Sequence, residues 1–234
     1  MINQGKVWNY ILYAIGEIVL VVVGILIAVQ IDDWYDHKKK VNLEIKVLRE
    51  IQVDLENDLI EIGDEIESYQ WIANGSSSLE AYYFSKNLYT DSLGSFTYGY
   101  EISPHFNPID GGYQLLKAKG IDLITNDSLR LEINTYYEQS IPYYLKYESE
   151  RIQTTINDFI SFNNANFYLS KVPYFPFWKR MPHNESTLRT NKEWISVIQK
   201  SSNLSQVLLS RAQNHERKIM RLQEMIKTEL KQRN

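Results

Sequence analysis

The chain has 234 residues, with 25 basic and 29 acidic side chains, a formal net charge of −4 and no cysteine. This near balance of charge excludes a global basic field for nucleic acid. The absence of cysteine excludes disulfides, thiol nucleophiles and thiolate metal sites.

The first predicted element is a membrane span. An apolar run over residues 11–31 contains one formally charged side chain, that of Glu17, and a spanning helix needs roughly 20 apolar residues. Trp8 and Trp34 mark its two ends, as interfacial aromatic belts do. We predict a short tail over residues 1–10 and a transmembrane helix that remains attached as an anchor, with the lipid bilayer as its first partner.

Charge near the span leaves its orientation open. Lys6 precedes it, whereas Lys38, Lys39, Lys40 and Arg49 follow it. The positive-inside rule would place the larger part of the chain in the cytoplasm, but that rule weakens for long domains. Charge alone therefore does not fix the topology.

One face of the predicted span favours a partner helix. At helical spacing Glu17, Val21, Gly24 and Ala28 share a stripe, and Gly24 with Ala28 forms a small-xxx-small pair that permits close helix approach. Glu17 either snorkels to the headgroups or faces a neighbouring helix or a hydrated path. We interpret the stripe as a helix-association face.

The span is predicted to continue as an amphipathic stalk over residues 32–72, because apolar residues recur there every seven positions. Acidic residues are assigned to its outer, solvated face: Glu56, Asp58, Glu61, Asp64 and Glu65. Residues 74–78 break the pattern and cap a short helix over residues 79–88. Residues 93–112 contain many glycines and prolines and are predicted to form a loop.

Further helices complete the pattern. A short helix over residues 113–119 ends at Gly120, and Thr125 or Asn126 caps a long helix over residues 127–162 that Pro142 kinks or divides. A short helix over residues 193–199 precedes a last amphipathic one. We predict an all-α fold in which residues 73–234 pack on the stalk as an antiparallel helical bundle outside the membrane.

Aromatic residues cluster in the predicted loop over residues 172–182, and Lys179 and Arg180 follow them. The members of this possible docking loop are Tyr174, Phe175, Phe177 and Trp178. The alternative, a loop folded over the end of the bundle, is favoured because most aromatic clusters lie in cores.

Candidate chemistry is sparse. Asp32, Asp33, Asp36 and His37 follow the span at spacings that suit a divalent metal, but solvated interfacial charges are the favoured interpretation. His215 lies on an apolar stripe, where a hydrogen-bonded core histidine is expected. His105 and His183 lie in loops without a serine, cysteine or carboxylate signature. We therefore predict no enzyme activity, no cofactor and no metal.

The anchor reads YAIGEIVLVVVGILIA from Tyr13 to Ala28, followed by Gln30, Ile31 and Trp34. With the segments 48–59, 112–116 and 126–137, it resembles a Bacteroidota family of single-span proteins of unknown function. That resemblance implies an inner-membrane protein with a helical periplasmic domain, and it supplies no catalytic residues.

Three functions follow as hypotheses. The first is a scaffold or interaction protein that forms homo-oligomers or docks with other inner-membrane proteins. The second is an accessory subunit of an ion-driven membrane complex that uses Glu17. The third is an extracytoplasmic ligand sensor, which would need a signalling partner because few residues precede the span.

Overall fold

The computed structural model describes residues 4–171 and 178–233, apart from the side chains of residues 4–12, Arg151 and Thr154. Within these ranges the protein is all-α, with one two-stranded hairpin. One helix is long and apolar enough to cross a membrane. The predicted fold class is confirmed.

The first helix, α1, runs from Gln4 to Tyr83 as 80 continuous residues, a length of about 120 Å at 1.5 Å per residue. Its apolar window has none of its area buried, and burial against other elements begins near Glu44. The span and the stalk are therefore one uninterrupted rod whose outer half forms part of the bundle.

The predicted break at residues 74–78 and the separate helix over residues 79–88 are wrong. A Cβ on Gly75 would lie 2.7 Å from the Phe96 ring, so this glycine permits close packing inside a helix. The serines bond back to the preceding turn, which keeps their hydroxyls satisfied in the helix. Their acceptors are the carbonyl oxygens of Ile72 for Ser76, Ala73 for Ser77 and Asn74 for Ser78.

The predicted loop over residues 93–112 contains a helix, α2, from Asp91 to Gly99. Thr90 caps it by accepting a hydrogen bond from the backbone N–H of Leu93. A Cβ on Gly99 would lie 2.0 Å from the Trp71 ring, so the glycine that suggested a loop instead brings α2 against α1. The prediction erred because a glycine at a close helix contact looks the same in sequence as one in a turn.

The residues after α2 are irregular up to α3, which runs from Gly111 to Lys119. We call residues 102–110 the strap. Gly120 follows α3 with a φ of 93°, as the predicted C-terminal cap requires. Asn126 caps the helix that begins at Asp127, because its side chain accepts a hydrogen bond from the backbone N–H of Leu129. Of the two predicted caps, Thr125 and Asn126, the second is confirmed.

The predicted long helix is divided near Pro142. Helix α4, Asp127–Thr135, passes through a π-helical segment, Tyr136–Ser140, into helix α5, Ile141–Asn166. Pro142 lies in the first turn of α5, where its missing N–H costs little.

The aromatic loop over residues 172–182 is partly strand, contrary to prediction. Strand β1, Phe167–Lys171, pairs antiparallel with strand β2, Trp178–Pro182. A four-residue helix, α6, Glu185–Leu188, precedes α7, Lys192–Arg233. The predicted short helix over residues 193–199 is the beginning of α7 and not a separate element.

Helix α7 runs antiparallel to α1. At the end nearer the apolar window Nη1 of Arg233 lies 2.6 Å from Oε2 of Glu44, and at the far end Nε2 of Gln199 lies 3.1 Å from Oε1 of Glu80. The seam between the helices is apolar and buried, and it includes Leu48, Ile51, Leu55, Ile62, Leu208, Ala212, Ile219, Leu222 and Ile226. Helix α5 also packs on α7, and the hydrogen bonds Tyr136–Asp58 and Tyr144–Glu65 join the π segment and α5 to α1.

Candidate functional site

A layer of carboxyl, phenol and imidazole groups crosses the apolar core at mid-bundle. Its members come from α1, the π segment, α5 and α7, and each is at most 5% exposed. We call this set the carboxyl layer: Asp58, Glu65, Tyr69, Tyr136, Tyr144, Glu148 and His215. Buried carboxyl groups are costly unless paired or neutralised, so the layer is the strongest candidate site in the described chain.

The carboxyl groups of Glu65 and Glu148 face each other across α1 and α5. The phenol of Tyr144 donates to Oε2 of Glu65 at 2.8 Å, and the phenol of Tyr69 donates to Oε1 of Glu148 at 3.4 Å. Burial and then the neighbouring Glu65 carboxyl raise the pKa of Glu148 to about 9. Burial and the second carboxyl therefore favour the protonated form of Glu148.

Two other carboxylates hold the far end of the strap. Oδ1 of Asp58 accepts from the backbone N–H of Ile109 at 2.9 Å, and Oδ2 of Asp54 accepts from the backbone N–H of Gly112 at 2.6 Å. Burial raises the pKa of Asp58 to about 6, against the opposing effect of the Ile109 hydrogen bond. Asp58 thus satisfies a backbone group of the irregular strap, and Asp54 satisfies one in the first turn of α3.

His215 is buried among rings. Its imidazole stacks on Tyr144 at 4.6 Å and on Tyr136 at 5.6 Å, and Phe106 meets it edge-on at 5.2 Å. Burial lowers its pKa to about 4. The core position is as predicted, but the expected hydrogen bond is missing at Nε2, which has no partner among the described residues.

The strap covers the layer. The Phe106 side chain is 1% exposed and packs on Tyr144 and His215. The His105 side chain is 57% exposed, and its Nδ1 lies 3.4 Å from Oε2 of Glu148. A cavity of about 30 Å³ lies beneath Ser103 and Pro104, beside Tyr69, which is room for about one or two water molecules.

This arrangement suits the binding of protons. No group of three or more His, Cys, Asp or Glu side chains in the described ranges is arranged to hold a metal ion. The assignment of Asp58 and Glu65 to the outer face of the stalk was wrong, because α5 and the π segment cover that side of α1. The available signal was their spacing of seven residues, which places both beside the apolar seam.

The predicted helix-association face is exposed throughout. Because α1 is continuous, the same helical face can be followed beyond the apolar window. Several exposed residues on that face lie within about 60° of one another at 100° per residue. We call these residues the α1 stripe: Glu17, Val21, Gly24, Ala28, Tyr35, Val53 and Ile60. Val53 and Ile60 are 54% and 66% exposed although they belong to the bundle.

The possible docking loop lies only partly within the described residues. Tyr174, Phe175 and Phe177 lie outside the described residues, and Trp178 begins β2 with its ring beneath the Lys171 ammonium at 5.4 Å. The basic residues that follow are buried and ion-paired. Lys179 pairs with Asp91 at 2.5 Å, and Arg180 pairs with Glu101 at 2.7 Å.

The charged residues after the span, Asp32, Asp33, Asp36 and His37, are exposed, and they form no metal-binding group. His183 is also exposed, beside the Tyr168 ring at 5.8 Å. The structure therefore brings none of these predicted candidates into the carboxyl layer.

The model of a family of unknown function, DUF6090, matches residues 17–172. The chain belongs to this family. The match confirms that the chain is a member of a family of unknown function, as the resemblance implied. The match includes the residues of the carboxyl layer on α1 and α5 and ends before His215. No curated protein and no solved structure matches the chain.

Proposed function

We propose that the protein is a membrane-anchored helical-bundle interaction protein that pairs through α1 with a second copy or with another membrane protein. The observation that supports this is the α1 stripe, which leaves the span and continues onto the outer face of the bundle. The proposal includes an inner membrane and a periplasmic bundle, which rest on the resemblance to Bacteroidota proteins.

Within the bilayer, close packing and not the hydrophobic effect favours helix association. A Cβ on Gly24 would meet nothing within 4 Å, so this face is open to another helix. Outside the bilayer Val53 and Ile60 add apolar area on the same side, and burying each fully would contribute about 2 kcal/mol. One partner helix lying along α1 would cover both parts.

The experiment compares Gly24→Leu with Gly16→Leu. Neither position has a neighbour within 4 Å, and Gly16 lies about 80° around the helix from Gly24. We expect Gly24→Leu to abolish co-purification of the partner or second copy from native membranes, and Gly16→Leu to retain it. Equal retention in both variants, or a strictly monomeric parent protein without a partner, would contradict the proposal.

Cross-linking gives a second measurement, because the chain has no cysteine. Single cysteines at Val53 and Ile60 should cross-link in membranes. A cysteine at Gln70, which is exposed and lies about 80° to 100° around the helix from those two positions, serves as the comparison for non-specific reaction. Cross-linking at Gln70 alone would contradict pairing through the α1 stripe.

Glu17 supports a second candidate, an accessory subunit of an ion-driven complex. Its carboxyl lies on the α1 stripe within the exposed apolar window, and a carboxyl inside a bilayer is costly unless it serves a partner or a hydrated path. Glu17→Gln separates the candidates: pairing with loss of ion-driven activity favours the accessory subunit, and unchanged activity removes it.

A further inference from the structure

Two buried oxygens in the carboxyl layer, Oε1 of Glu65 and Oε2 of Glu148, have no well-aligned hydrogen-bond partner in the described chain. The nearest nitrogen given for Oε2 of Glu148 is Nδ1 of His105, at 3.4 Å. The other oxygen of each carboxyl accepts from a tyrosine, Tyr144 or Tyr69. The two side chains are within hydrogen-bonding range of each other. A proton held between the two side chains would satisfy both oxygens. Two ionised carboxylates could not do so, because both are acceptors only.

The facing groups supply positive charge only where an imidazole, that of His105 or His215, is protonated. The facing groups are Tyr69 on α1, Tyr144 on α5, His105 with the Phe106 backbone N–H on the strap, and His215 on α7. In the described ranges, neither carboxyl forms an ion pair with lysine or arginine. Burial raises the pKa values of Tyr69 and Tyr144 far above the ordinary value of a tyrosine, so these phenols stay neutral.

The strap is the part of the structure that can move away from the carboxyl layer. Arg180 holds Glu101, just before the strap, by two hydrogen bonds of 2.7 and 2.9 Å, and Asp58 holds Ile109 near its other end. Between these anchors the strap follows no regular secondary structure. Water already has room beneath Ser103, in the cavity that Tyr69 also lines.

We propose that Glu65 and Glu148 together bind one proton at neutral pH, and that release of this proton in alkaline solution opens the strap. The proton passes to bulk water beside His105, whose side chain reaches both solvent and Oε2 of Glu148. Two carboxylates then face each other in a dry interior, and water entering under residues 102–107 solvates them. The layer is thus a proton-binding site coupled to a surface segment.

A spin label on Ser103→Cys in the otherwise cysteine-free, full-length protein tests the coupling. We expect the mobile fraction of the label to rise with a midpoint near pH 9, the pKa of Glu148. Release of a single proton changes the open-to-closed ratio about tenfold per pH unit below that midpoint. An unchanged spectrum up to about pH 10 overturns the proposal.

Single substitutions show which carboxyl groups cause the change in label mobility. Glu148→Gln retains an amide that can donate to Glu65, so the label should stay immobile at every pH, and Glu65→Gln should behave alike. Glu67→Gln, an exposed position on the same helix, should keep the parent transition. A transition retained in Glu148→Gln, or lost in Glu67→Gln, overturns the assignment.

Infrared spectroscopy of the unlabelled parent protein tests the proton itself and does not depend on the variants folding. A carbonyl stretch of a protonated carboxyl should be present at neutral pH and disappear in alkaline solution in step with strap opening. Its absence at neutral pH overturns the shared proton.

Discussion

The carboxylate of Glu44 and the guanidinium of Arg233 meet at 2.6 Å although 189 residues separate them. The Glu44 side chain is 1% exposed and that of Arg233 is 17% exposed. Glu44 also accepts from the backbone N–H of Thr125 at 2.8 Å, and Arg233 also pairs with Glu229. This cluster joins the end of α7 to α1 where α1 enters the bundle.

Replacing Arg233 with alanine should therefore destabilise the protein, because it leaves the buried Glu44 carboxylate without its cation. We expect a loss of about 3 kcal/mol in the free energy of unfolding, measured by urea titration in detergent. The control is Lys231→Ala, at an exposed neighbouring position. Similar effects of the two substitutions would show that the ion pair adds no stability.

The Glu65 and Glu148 pair predicts a particular pH dependence. The pKa of Glu148 rises from an ordinary 4.5 to about 9 on folding, so the folded state binds a proton that the unfolded state releases. The contribution of Glu148 to stability is complete below about pH 4.5 and is lost as pH rises toward 9, by at most about 1.4 kcal/mol per pH unit.

Glu148→Gln should remove that contribution. The difference in free energy of unfolding between variant and parent should increase in favour of the variant from about pH 5 to about pH 9, measured by chemical denaturation at several pH values. Glu67→Gln should show a nearly constant difference. A constant difference for Glu148→Gln would contradict the raised pKa.

His215 predicts the opposite pH dependence. Burial lowers its pKa from 6.5 to about 4, so its contribution to stability is complete above about pH 6.5 and is lost as pH falls toward 4. His215→Phe keeps an aromatic ring between Tyr136 and Tyr144 and removes the unpartnered nitrogen. Relative to the parent, the variant should gain about 2 kcal/mol between pH 8 and pH 5.

Thermal unfolding of His215→Phe at those two pH values, with calorimetric enthalpies, checks this prediction. His183→Gln is the control, because His183 is exposed and its replacement should leave the pH dependence nearly unchanged. A parent-like acid sensitivity in His215→Phe would show that His215 is not the group responsible.

Two glycines should respond oppositely to alanine. A Cβ on Gly112 would lie 2.5 Å from the backbone nitrogen of Ile51, whereas a Cβ on Gly63 would meet nothing within 4 Å. We expect Gly112→Ala to lose about 2 kcal/mol through overpacking and Gly63→Ala to gain up to about 1 kcal/mol through helix propensity. Urea midpoints check both, and a stabilising Gly112→Ala would contradict the close approach of α3 to α1.

Local signals in the sequence predicted many elements correctly. The apolar window, the Asn126 cap, the φ-positive Gly120 and the division near Pro142 each depend on a few neighbouring residues, and each is found in the structure. The errors at Gly75 and Gly99 arose because a glycine that permits close packing cannot be distinguished locally from one that ends a helix.

The carboxyl layer could not be predicted from local sequence patterns. Asp58 and Glu65 lie on α1. The side chains that bury them are those of Tyr136, Tyr144 and Glu148, about 80 residues further along the chain. An acidic residue next to an apolar seam is usually solvated, so its sequence environment favoured the outer face. Only the position of α5 makes that face internal.

The sequence by itself determined the apolar span, the helical character of the chain and the part of the α1 stripe from Glu17 to Ala28, because helix periodicity and hydrophobicity are properties of consecutive residues. The tertiary structure decided which polar groups lose their water, because desolvation depends on what packs above each side chain. The two facing carboxyl groups, the strap over them and the proton that we propose they share all depend on that packing.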